Sequence, residues 1–158
     1  MDDTHAAENS FEKAWKYAER FLTQQPRTSG QVRRKLSQRS YNEEIIEQVV
    51  AELKDSGFLD DRKYAEDYIN NSVFYRPMGR IMLKQKLAQR LLHPDVIEST
   101  MQEFFTEDQE RKALLTAFEK KDALLKNEKD PKKKKEKLGR YLASRGFPAG
   151  LILEIINN

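Results

Sequence analysis

In this 158-residue chain the side chains grouped closely enough to recognise a ligand are its cations. They fall into three groups: Arg27, Arg33, Arg34, Lys35 and Arg39; then Arg76, Arg80, Lys84, Lys86 and Arg90; then Lys132, Lys133, Lys134, Lys135, Lys137, Arg140 and Arg145. No acidic residue interrupts the first two groups. Guanidinium and ammonium groups gathered in this way suit a polyanion such as a phosphate backbone. Cations spread over solvated faces would instead pair with acidic neighbours for a few tenths of a kcal/mol. The net charge of +3 does not decide between these, so the distribution carries the reading.

Other chemistries find little support. Asp60-Asp61 has the look of a carboxylate dyad, but adjacent helical residues diverge and no histidine lies nearby in sequence, so helix capping is the better account. His5 and His93 are isolated, and His93 precedes Pro94 at an expected helix start. There is no cysteine, phosphate-binding glycine loop, Ser/His/Asp set or zinc spacing. The chain therefore reads as non-enzymatic, with no cofactor and no metal. Most aromatic residues fall on helical stripes and read as core, whereas Tyr75, beside Arg76 in a loop, stands out as a base-stacking candidate. No apolar run approaches a membrane span and the acidic start lacks an apolar leader segment, so a soluble cytoplasmic protein is expected.

The elements that must position these cations are all helical. Residues 1–9 read as a disordered leader. Phe11, Ala14, Trp15, Ala18, Phe21 and Leu22 mark a first helix closed by Pro26. Val32 and Leu36 point inward from a short basic helix opening near Thr28 or Ser29, and Asn42 caps a third helix with Ile45, Ile46, Val49, Val50 and Leu53 as its stripe. A hinge follows at Gly57-Phe58-Leu59-Asp60-Asp61, where Gly57 is free to take the left-handed conformation that closes a helix and Asp60 or Asp61 can cap the next.

After the hinge the cycle returns. Lys63-Tyr64-Ala65-Glu66 repeats Lys16-Tyr17-Ala18-Glu19, Leu83 and Leu87 stand for Val32 and Leu36, and Val96 and Ile97 stand for Ile45 and Ile46. A third cycle runs through Ala113, Leu114, Ala117 and Phe118, then Leu138 and Leu142, then a last helix from Pro148. The pattern predicts an all-α protein of three tandem three-helix repeats, residues 10–58, 59–107 and 108–158, forming an elongated, curved array. Stacked repeats would align the basic second helices into a stripe. If Asp130 caps a helix, Lys132 to Lys135 occupy its first turn, where the dipole disfavours cations; that run then serves an anionic partner, unless it is a loop.

With these residues in view, the chain resembles the RecX family over roughly residues 14 to 157. The most specific match is Gly57-Phe58-Leu59-Asp60-Asp61 with Tyr64-Ala65. Ser29 to Leu36, then Gly79, Leu83 and Leu87, then Tyr141-Leu142 with Arg145-Gly146-Phe147 also fit the family's pattern. Ser40 and Leu91 depart from it, standing where a glycine usually ends the second helix, and Lys86 replaces a usual glutamate. The resemblance implies a non-enzymatic modulator that lies along the RecA filament and hinders its ATP turnover, strand exchange and repressor cleavage; a monomer is expected. From charge and expected facing, the contacts to the filament and to single- or double-stranded DNA phosphates are expected at Arg33, Arg34, Arg80, Lys84, Arg90, Lys132 to Lys135, Arg140 and Arg145. Competing readings are an autonomous DNA-binding protein using the same stripe, and an α-solenoid adaptor for an acidic protein.

Overall fold

The computed structural model describes residues 2–158, with side chains from Asn9 onward. Among these residues are nine α-helices and no strand. They are α1 (Asp2–Gln24), α2 (Ser29–Gln38), α3 (Glu43–Asp55), α4 (Asp61–Phe74), α5 (Arg80–Gln89), α6 (Pro94–Phe104), α7 (Glu107–Leu124), α8 (Pro131–Ser144) and α9 (Ala149–Asn157). The backbone of α1 is helical from Asp2, within the stretch where the sequence leads one to expect a leader over residues 1–9; Met1 lies outside the described residues. Ala6 and Ala7 are strong helix formers, and propagating a nucleated helix is easier than starting one.

The starts follow from local capping chemistry. The Thr28 side chain accepts from the Gln31 amide and Gln31 reaches back to the Thr28 amide, a reciprocal capping box for α2. Asn42 accepts from the Ile45 amide at 2.9 Å, ahead of Glu43 and Glu44 in the first turn of α3. Asp60 caps α4 by accepting from the Lys63 amide at 2.9 Å. Pro94 and Pro131 sit at first helical positions, where the missing N–H is not needed.

The second helices end alike. Ser40, Leu91 and Gly146, which directly follow the last turns of α2, α5 and α8, have φ of 62°, 59° and 81°. The left-handed backbone is thus kept where glycine is replaced, at a local cost of roughly 1 kcal/mol for a residue with a Cβ. At Ser40 the return bonds are complete: its amide donates to the Ser37 carbonyl and the Tyr41 amide to that of Leu36. The Gly146 and Phe147 amides do the same at Ala143 and Leu142.

The chain forms two compact units, one of residues up to Tyr64 plus the turn Arg90–His93, the other of Ala65–Gln89 and Pro94–Asn158. These borders differ from those near residues 58 and 107 suggested by the repeats. Unit 1 packs Ala14, Ala18, Val32, Leu36, Val49, Val50 and Leu53 into one core, with Trp15 and Phe21 against it. Unit 2 buries Ile69, Val73, Leu83, Leu87, Leu114, Leu138 and Leu142.

Two long-range devices explain the borders. In unit 1, Asp61 accepts from both the amide (2.8 Å) and the hydroxyl of Ser29, in the first turn of α2, while Thr28 Oγ1 donates to the Arg90 carbonyl at 2.5 Å. Gly30 lies against Leu91 so closely that an added Cβ would meet the Leu91 Cβ at 2.7 Å and its carbonyl oxygen closer still. Unit 2 repeats this arrangement. The Gly79 amide donates to the Arg145 carbonyl at 2.9 Å, the Ile81 amide to that of Gly146 at 3.2 Å, and Glu110 takes the part of Asp61 at the start of α5.

Candidate functional site

The structure divides the sequence-predicted cations into those already engaged and those left in solvent. Around α2, Arg27 lies over the Phe21 ring (4.2 Å), Lys35 over the same ring (5.4 Å) and Arg39 over Tyr17 (4.6 Å), so α1 presents aromatic faces to the basic helix. Arg33 pairs with Glu47 of α3 at 2.7 Å. Its hydrogen bond is the main reason the Glu47 carboxyl is held below its usual range. Arg34 is exposed and has no partner among the described residues.

In α5 the division is sharper. Arg80 is anchored: its backbone N–H donates to Glu110 Oε1 at 2.8 Å and its Nε to Oε2 at 2.5 Å. Glu110 is 1% exposed, against 43% for the Arg80 side chain. Lys84 pairs with Glu98 at 2.8 Å, both in solvent, and Arg90 also takes part in internal contacts, its carbonyl receiving Thr28. Lys86 is half-buried and Arg76 exposed, neither with an ionic partner among the described residues.

Helix α8 carries the largest uncommitted set. Asp130 accepts from the Lys132 and Lys133 amides and Pro131 occupies the first position, so the lysine run is helical rather than a loop. Lys134 turns to Asp122 of α7 at 2.7 Å. Lys137 pairs with Glu128, and that hydrogen bond, followed by one from the Asp130 amide, holds the Glu128 carboxyl below its usual range. Lys132, Lys133, Lys135 and Arg140 remain exposed and form no salt bridge among the described residues, although the Lys133 charge also lowers the Glu128 carboxyl. Lys133 and Arg140 are seven residues apart, two turns along one face. Arg145 is engaged otherwise, donating Nε (3.0 Å) and Nη2 (2.9 Å) to the Pro77 carbonyl.

The hinge residues are positioned by backbone chemistry. Gly57 has φ 79° and its amide donates to the Lys54 carbonyl, closing α3. Asp60 and Asp61 act on two different helices, α4 and α2. Glu110 is the site residue that sequence reasoning missed. Its signal was an acid on the apolar stripe of α7, three, four and seven residues before Ala113, Leu114 and Ala117. Among the described residues no three His, Asp or Glu side chains converge to hold a metal, and no helix is long and apolar enough to cross a membrane.

Comparison with known proteins places this architecture. The model for the first three-helix domain of RecX matches residues 14–53, and that for the third matches residues 107–156. Regulatory protein RecX of Clostridium botulinum (strain Eklund 17B / Type B) is 32% identical over 130 residues, 82% of this chain and 60% of that protein. The same-named protein of Clostridium tetani is 33% identical over 143 residues, covering 90% and 65%. That of a Mycobacterium species (strain KMS) is 27% identical, covering 98% and 85%. The chain thus spans about 60% of the length of the first of these relatives. The crystal structure of RecX from Lactobacillus salivarius shares the fold, with a TM-score of 0.82 at 23% identity over 95% of this chain and 96% of that one. With two of that family's domain models matched over more than half of its residues, about a third of aligned positions shared with such relatives and the backbone of the Lactobacillus protein reproduced, this chain belongs to the RecX family.

Proposed function

We propose that this protein is a cytoplasmic regulator, without catalysis of its own, that binds the RecA nucleoprotein filament and inhibits its recombinase, ATPase and coprotease activities. Family membership supports the reading, and one observation carries it to residues. The first turn of α8 holds four lysines at the positive end of the helix dipole, and only Lys134 has a carboxylate partner among the described residues. The dipole disfavours the charges left there, which the Asp130 and Glu128 carboxylates only partly balance, and an anionic surface in the complex would offset the rest. Lys132, Lys133, Lys135 and Arg140 are the contact residues on this view, joined by Arg34 from α2. Arg33, Lys84 and Lys134 contribute after exchanging an internal carboxylate for an external one. Arg80, Arg90 and Arg145 keep α2 and α5 in place, so their effect on binding is indirect.

Co-sedimentation with RecA filaments on single-stranded DNA tests this directly. The parent protein should pellet with filaments more than with the naked strand, and Lys132→Glu/Lys133→Glu/Lys135→Glu/Arg140→Glu should stay in the supernatant while melting no lower than the parent, because acids suit the start of α8. Equal pelleting with naked DNA, lost steeply with salt, would favour the autonomous DNA-binding reading, because neutralised phosphates release counterions.

A further inference from the structure

We infer that Phe74 and Tyr75 form a stacking platform for the unpaired bases of a single-stranded nucleic acid. Both side chains stand in water at the end of α4, Phe74 64% and Tyr75 75% exposed. In unit 1 Phe58 is also exposed, at 55%, but its ring is met by another. There Trp15 stacks with Phe11 and meets Phe58 edge-on, while Tyr17 and Phe21 lie under arginines.

The exposure of Phe74 and Tyr75 is not that of a loose loop. The Tyr75 and Arg76 amides both donate to the Asn71 carbonyl, at 3.0 and 3.2 Å, and the Met78 amide donates to that of Ser72 at 3.3 Å. Two cations grip the segment from other helices, Lys120 Nζ at the Tyr75 carbonyl (3.3 Å) and the Arg145 guanidinium at the Pro77 carbonyl. Proline at position 77 further limits the backbone before it. Two flat apolar faces are thus held out by a braced backbone, which lowers the ordering cost of binding.

The charge around them selects the ligand. Arg76 is exposed with no partner among the described residues, and the Lys120 ammonium is at the same carbonyl edge. Aromatic faces interleaved with cations fit a strand whose bases stack while its phosphates are neutralised, and stacking of this kind tolerates any base. Aromatic anchors of a protein interface sit instead in a desolvated apolar surround. The inference rests on the nucleic-acid side of the proposed function and gives Arg145 a second task, holding Pro77 and so the platform.

The test is binding of a short fluorescein-labelled oligodeoxythymidylate by anisotropy across a salt series, with RecA ATPase inhibition measured on the same proteins. Phe74→Ala/Tyr75→Ala should bind the strand about tenfold more weakly with an unchanged salt slope, Tyr75→Phe should bind like the parent, and Arg76→Gln/Lys120→Gln should flatten the slope. Parent-like binding by Phe74→Ala/Tyr75→Ala, or no binding by the parent, would overturn the platform. So would parent-like strand binding together with lost RecA inhibition, which would place these rings against protein. Strand binding that depends on the rings, with no RecA inhibition by the parent, would uphold the platform and sink only the filament reading.

Discussion

Gly79→Ala should lower the stability of unit 2 by about 3 kcal/mol, a Tm drop of roughly 6–12 °C in a chain of this size. Gly79 opens α5 where the turn after α8 is seated, and a Cβ there would meet the Phe147 Cα at 2.5 Å and the Gly146 carbonyl closer still. These are backbone atoms, so no rotamer change relieves the clash. Relief requires the turn to withdraw, which breaks the bonds from the Gly79 and Ile81 amides to the Arg145 and Gly146 carbonyls. The matching control is Gly150→Ala in the first turn of α9, where an added Cβ meets nothing within 4 Å. There the change should stabilise by about 0.5–1 kcal/mol through helix propensity. Thermal melts followed by circular dichroism separate the two; equal effects would refute the seating of the turn.

Glu110→Ala is the second large effect, at about 3 kcal/mol. The carboxylate is buried and holds both the first amide of α5 and the Arg80 guanidinium. Removing it leaves the amide without its acceptor and opens a cavity under α7. Arg80 remains able to turn its charge to water, being 43% exposed, which keeps the loss below that of a fully buried pair. A double-mutant cycle with Arg80→Ala should give a coupling of about 1.5–3 kcal/mol. The same cycle on Lys84 and Glu98, 45% and 70% exposed, should give about 0.5 kcal/mol or less. Comparable couplings in the two cycles would mean that Glu110 does not organise the start of α5.

Helix identity and helix ends were legible in the sequence because their causes are local. Thr28, Asn42 and Asp130 cap helices through residues two or three positions away, and Pro94 opens one by its own backbone. Ser40 and Leu91 stand where glycine usually ends the second helix, and the backbone keeps a positive φ at both. The seating of turns on helix starts was not legible. Ser29 and Asp61, and likewise Arg80 and Glu110, lie about thirty residues apart, and periodicity carries no information about a partner at that distance. The same blindness affected the cations. Arg80, Lys84 and Arg140 are equally basic in the sequence, and only the fold shows that Glu110 and Glu98 engage the first two while Arg140 stays open.

The most direct test of the central claim is the single-stranded-DNA-dependent ATPase of RecA with this protein titrated in at substoichiometric levels. The parent should suppress turnover, and Lys132→Glu/Lys133→Glu/Lys135→Glu/Arg140→Glu, melting no lower than the parent, should leave it near the uninhibited rate. Full suppression by that variant, or no effect from the parent, would contradict a filament regulator acting through the open cations of α8.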